Sequence, residues 1–122
     1  MGGYVSNSDE IANGVAKIMA EHKAQDVVIL DLREVAGWTD YFVIGTCTSS
    51  VHLRGVSRYV EEYLAEQKAG SINKPNPKDD DSWILHDTVD VIIHIMDAQA
   101  REFYELEKLW YKAKATKIAL PL

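Results

Sequence analysis

The chain has 122 residues, 47% of them hydrophobic, and a formal net charge of −6. That length suits a single domain spanning 1–122, and a chain of this size buries roughly two-thirds of its unfolded surface on folding. The lone cysteine, Cys47, leaves no internal disulfide framework, and with no leader pattern and no apolar run near membrane-spanning length the expected compartment is cytoplasmic. The acidic balance makes no electrostatic case of its own for nucleic acid, which calls for clustered Lys and Arg.

The first expected element is a helix over Ser8 to Glu21, capped by Asn7 with Glu10 completing a capping box. Ile11, Val15, Ile18 and Met19 fall on one apolar stripe, which Gly14 interrupts without abolishing. Asp26 to Leu32 and Tyr41 to Thr46 are β-branched and aromatic runs that predict two strands. The connection from Arg33 to Asp40 is short enough for them to pair antiparallel. Ser49 or Ser50 then caps a long helix to about Lys68, with Val56, Val60, Tyr63 and Leu64 on its buried face and Gly70 as its left-handed stop. Residues 71–82 carry two prolines and three consecutive aspartates, the composition of an exposed loop. Trp83 to His86 resumes as a strand, Asp87 to Val89 turns, and Asp90 to Met96 returns as a strand apolar on both faces, hence interior. A last helix over Gln99 to Tyr111 places Phe103, Leu106 and Trp110 toward the core. Lys112, Lys114 and Lys117 then read as the solvated end of that helix, where cations suit the dipole. The order of elements predicts an α+β fold, one mixed β-sheet packed with α-helices.

Catalytic chemistry finds few candidates. Cys47 lies between a strand and a helix with His52 close in sequence, the ingredients of an activated thiol; a small residue packed at a strand end is the ordinary alternative. His86, Asp87, Asp90 and His94 are sufficient in kind for a metal, yet their spacing matches no metal motif, and a histidine among apolar strand residues is more often hydrogen-bonded core. The aspartate run lacks the glycine and terminal glutamate of a calcium loop. Phosphate-binding glycine motifs do not occur. The remaining signal is aromatic. Trp83, Leu85 and Asp87 alternate onto one strand face, and Tyr104 and Tyr111 lie one helical repeat apart beside the core stripe of the last helix; these are residue types that anchor protein interfaces, and covering the edge of the core is the ordinary alternative for Trp83.

Three segments together carry a family resemblance. They are Thr39 to Thr46 (TDYFVIGT) followed by Thr48-Ser49-Ser50-x-His52; Trp83-x-Leu85-x-Asp87-x-x-Asp90-Val91-Ile92-Ile93-His94; and Arg101-x-Phe103-Tyr104-x-Leu106-Glu107-x-Leu109-Trp110. In order and spacing the chain resembles the Iojap-like ribosomal silencing factor family over about residues 7–111, leaving 112–122 as a tail. The resemblance implies a nucleotidyltransferase-like fold without catalytic residues, and no cofactor or metal. It implies binding to the large ribosomal subunit, chiefly through large-subunit ribosomal protein fourteen, with steric exclusion of the small subunit and repression of translation under nutrient limitation. Organellar relatives add large-subunit biogenesis as a sister role. The expected contact centre is Trp83, Leu85 and Asp87, with Asp40, Tyr41, Arg101 and Tyr104 as second-rank contacts, while Asp90 and His94 hold the strand and helix together. A minor contact with ribosomal RNA and a homodimer of the free protein are compatible with this reading. The contrasting hypothesis is a metal-dependent nucleotidyl or phosphoryl-transfer enzyme using Asp40, Asp87, Asp90 and His94. The chain departs from the family pattern at Cys47 and Val89, where glycine is usual, and at Pro77 with its neighbouring aspartates, which replace an acidic-glycine pair. A β-branched residue at the Val89 turn is strained if φ is positive there.

Overall fold

A computed structural model of the chain describes residues 7–69 and 82–119. Its elements are α1 (Ser8–Glu21), β1 (Gln25–Asp31), β2 (Tyr41–Cys47), α2 (Ser50–Glu66), β3 (Trp83–Asp87), β4 (Val91–Asp97), α3 (Ala98–Tyr104), α4 (Leu106–Leu109) and β5 (Lys114–Lys117). The strands form one five-stranded sheet in the order β3-β4-β2-β1-β5. β1 and β2 pair antiparallel, as their short connection requires, whereas β2 and β4 run parallel because α2 intervenes. The result is the expected α+β architecture with a single mixed sheet. The stop at Gly70 and the loop through residue 81 lie outside the described residues.

The sheet separates two apolar clusters. On one face Ile11, Val15 and Met19 of α1 and Leu53, Val56, Val60 and Leu64 of α2 meet Val27, Val43, Ile93 and Ile95. Gly45 permits that approach, since a Cβ there would come within 2.5 Å of the Met19 methyl carbon. On the other face Val28, Leu30, Phe42, Ile44, Ile92 and Met96 are covered by Leu32, Ala36 and Ala100, with Leu106 and Trp110 leaning on them. β4 is therefore apolar on both sides for the reason its sequence suggests.

Local chemistry sets the helix ends. Asn7 accepts from the Asp9 N–H at 3.0 Å and Ser49 from the His52 N–H at 3.0 Å. Both long helices close with the same pair of backbone bonds. Lys23 N–H reaches Ala20 O and Ala24 N–H reaches Met19 O; Lys68 and Ala69 repeat this toward Ala65 and Leu64. The left-handed position is occupied by Lys23 (φ 73°) after α1 and by Lys68 (φ 57°) after α2.

The C-terminal part differs from expectation. The single helix over 99–111 is broken at Glu105, which adopts φ 47°, and two short helices result. Phe103 is 77% exposed and does not join the core. The lysine cluster is no helix end: Lys114 and Lys117 belong to β5, which pairs antiparallel with β1 opposite Asp31 and Val28. Exposed lysines on an edge strand discourage pairing with another chain.

Candidate functional site

The face of the sheet away from α1 and α2 is only partly covered by the described residues, and most of the singled-out aromatic and charged residues converge there. Strand alternation puts Trp83, Leu85 and Asp87 of β3 on it, beside Ile92, His94 and Met96 of β4. Trp83 and Asp87 are half-buried, and Leu85 is 40% exposed at the sheet edge. The Trp83 indole N–H donates to His94 Nδ1 at 3.2 Å. Ring contacts extend from this pair in both directions. Tyr104 lies 4.6 Å from Trp83 and in turn meets Phe103 at 4.9 Å. His94 meets the Phe42 ring at 4.5 Å, and Phe42 meets Trp38 and Trp110 at 6.0 Å each. The belt thus runs from α3 across the sheet to the β1–β2 connection.

Sequence reasoning found one end of this belt and missed the other. Trp38 is 58% exposed, in a connection where a large aromatic has no local structural task. That incongruity was the available signal.

Arg101 borders the face but is mostly buried in internal bonds. Its Nη1 donates to Thr46 Oγ1 at 3.0 Å, while Nε and Nη2 fork onto Glu107 at 3.1 and 2.8 Å. It therefore ties α3 and α4 to β2 across the break at Glu105, which fixes where Tyr104 stands. Asp40 and Tyr41 are not part of the face. The Asp40 carboxylate accepts from Ser8 Oγ at 2.8 Å, joining β2 to the start of α1. Tyr41 is 4% exposed on the opposite side of the sheet, with the Arg33 guanidinium 5.2 Å from its ring centre. Burial pushes the Tyr41 phenol up from its ordinary pKa. Asp90 contributes through its backbone: its carbonyl accepts from the N–H of Asp40 at 2.9 Å and of Tyr41 at 3.1 Å. It joins strand starts and does not join a strand to a helix.

The groups considered for catalysis are engaged elsewhere or apart. Cys47 is buried, and burial pushes its thiol up to about 12, so it carries no thiolate at neutral pH. His52 Nδ1 accepts from the Thr48 N–H at 3.0 Å and its Nε2–H donates to the His22 carbonyl at 2.8 Å, leaving neither nitrogen free to act as a base. His86 and His94 stand on the neighbouring strands β3 and β4 but on opposite faces: His86 Nε2 meets Ser57 Oγ of α2 at 2.8 Å, whereas His94 meets Trp83. Burial holds both imidazoles down to about 4, so both are neutral at physiological pH. Among the described residues no three His, Cys, Asp or Glu side chains are placed to hold a metal ion. The aspartate run lies outside them. Within the same residues no helix is long and apolar enough to cross a membrane.

The comparisons agree with this architecture. The profile of the family described as "Ribosomal silencing factor during starvation" matches residues 5–121. The chain is 32% identical over 100 residues to "Ribosomal silencing factor RsfS" of Treponema pallidum, covering 81% of this chain and 88% of that protein. It is 35% identical over 98 residues to "Mitochondrial assembly of ribosomal large subunit protein 1" of Mus musculus, covering 79% of this chain but only 43% of the mouse protein. A crystal structure from Chromobacterium violaceum superposes with a TM-score of 0.80 at 21% identity, covering 93% of this chain and 94% of that one, which speaks to the fold. On the extent of the profile match and the identity to these relatives, the chain belongs to the ribosomal silencing factor family.

Proposed function

We propose that this protein docks on the large ribosomal subunit through the open face of its sheet, keeps the small subunit from joining, and so represses translation in the cytoplasm. The observation that carries the reading is the uncovered aromatic and apolar belt around Trp83, Leu85 and Tyr104 in a chain of this family. Exposed apolar surface that a fold does not require is the usual mark of an interaction site. In this reading the receiving protein is large-subunit ribosomal protein fourteen, as the family resemblance implies. Trp83 is the apolar anchor, Leu85 fills the space beside it, Tyr104 widens the contact and Asp87 meets a basic group at the rim. Arg101, Asp40 and Tyr41 act by holding the elements that present these side chains. The protein works as a steric obstacle and performs no chemistry.

Sedimentation of purified bacterial subunits with and without the protein tests the obstruction: joined ribosomes should be depleted, and the protein should travel with the large particle. Trp83→Ala should weaken binding by about 2 kcal/mol or more, as truncated anchors commonly do, with the fold retained. Unchanged affinity of the Trp83→Ala/Asp87→Ala double variant would refute the assigned face.

A second reading, assistance in large-subunit assembly, is favoured by the name of the mouse relative. Accumulation of immature large particles in cells lacking the protein, with normal joining of mature subunits, would select it.

A further inference from the structure

We infer that His94 is the positioning residue of the docking face, its ring nitrogen holding the Trp83 indole in the orientation the partner receives. The inference rests on the docking reading above and adds how the anchor is set before contact.

His94 is 4% exposed and lies beneath the belt, opposite Leu85 in the β3–β4 pairing. Its Nδ1 accepts the Trp83 N–H at 3.2 Å, so the neutral ring carries its own proton on Nε2. That second N–H is buried and has no hydrogen-bond partner among the described residues. A buried donor without an acceptor is a cost to folding. If the site required only volume, leucine or phenylalanine would fill it without that cost. The one thing imidazole provides here and an apolar side chain does not is an acceptor for Trp83. Phe42 packs against the imidazole at 4.5 Å, which orients the acceptor; Tyr104 packs on the indole at 4.6 Å, which limits its swing from the other side. Trp83 stands near the sheet edge with part of its surface in solvent, where without such restraint its two torsions would be free to vary. An anchor already held in its docking rotamer spares the ordering cost at contact.

The test combines a signal from Trp83 itself with binding. The three tryptophans give three indole N–H resonances, and Trp83→Phe identifies the relevant one. In the wild type this proton should exchange slowly with solvent. His94→Leu should bring it to the exchange rate of an exposed indole, and His94→Asn, whose Oδ1 can replace Nδ1, should restore protection. Affinity for purified bacterial large subunits should fall roughly three- to tenfold in His94→Leu, the scale of ordering one large side chain, and recover in His94→Asn. The melting temperature of His94→Leu should hold or rise, because the unpartnered donor is gone. Trp83→Phe keeps a ring but removes the N–H. Adding His94→Leu to it should cause no further loss of affinity, and this cycle decides the matter even if one single variant folds poorly. Wild-type affinity in His94→Leu, or a full additional loss in the double variant, would overturn the inference while leaving the docking face standing. Failure of the wild type to bind would remove the docking reading, and the indole exchange series would still show whether His94 restrains Trp83.

Discussion

Val89 shows how a single residue can conflict with its backbone. It sits in the β3–β4 turn at φ 77°, a region that a β-branched side chain enters at a cost, and it is 53% exposed, so burial offers no compensation. The turn is held by its neighbours. Thr88 N–H and Oγ1 both donate to the Val91 carbonyl, at 3.0 and 2.7 Å, and Asp87 Oδ1 accepts from the Val89 N–H at 2.9 Å. Val89→Gly should therefore stabilise the protein by about 1 kcal/mol, net of the greater freedom of glycine in the unfolded chain. Urea unfolding with an unchanged slope would register the gain; a loss of stability would show that the turn is not strained at this position. Because Asp87 is occupied in this turn and belongs to the proposed contact centre, the substitution also bears on how that carboxylate is presented.

At the level of elements, α1 and α2 cross where Gly14 faces Tyr63. A Cβ at position 14 would fall onto the Tyr63 hydroxyl and ring edge. Helix propensity alone favours alanine over glycine by about 1 kcal/mol, but overpacking a helix crossing costs about 1–3 kcal/mol. The second term should win. Gly14→Ala is expected to lower stability in the wild type and to raise it in a Tyr63→Ala background. The sign change, read from denaturant midpoints of the four proteins in the cycle, separates packing from propensity; equal effects in both backgrounds would exclude the contact. The same logic explains the split of the last helix. Glu105 breaks it, and the Arg101 fork onto Glu107 with its bond to Thr46 closes the joint, so Tyr104 is placed by an ion pair spanning two short helices.

For the whole molecule, each face of the sheet buries one neutral histidine, His86 toward the helices and His94 toward the belt. Both have folded-state values near 4 against an ordinary 6.5. The unfolded chain thus takes up protons first as pH falls, and stability rises with pH through this window. The contribution is complete above about 6.5 and is lost progressively toward 4, roughly 3 kcal/mol for each histidine. Asp31, held below the ordinary carboxylate range by its bond to Arg33, acts in a more acidic window. Urea midpoints should hold from pH 7.5 to about 6.5 and then fall down to pH 4.5. A flat profile would mean that the imidazoles are not buried neutral.

Much of the local structure was legible in the sequence because its causes are local. The α1 stripe, the Asn7 and Ser49 caps, the two β-branched runs and the doubly apolar β4 each follow from spacing and side-chain type within a few residues. The alternation that sets Trp83, Leu85 and Asp87 on one face follows in the same way. Other features depended on what lies far away along the chain. Lys114 to Lys117 carry no strong strand signal and become β5 because β1 offers an edge. Phe103 looked like core until the break at Glu105 turned it outward. The separation of Tyr41 from Trp83, the belt through Phe42 to Trp38, and the acceptor beneath Trp83 were decided by which strands became neighbours. Periodicity specifies which residues share a face of one element, but only packing specifies which faces meet, and the proposed docking surface is made of such meetings.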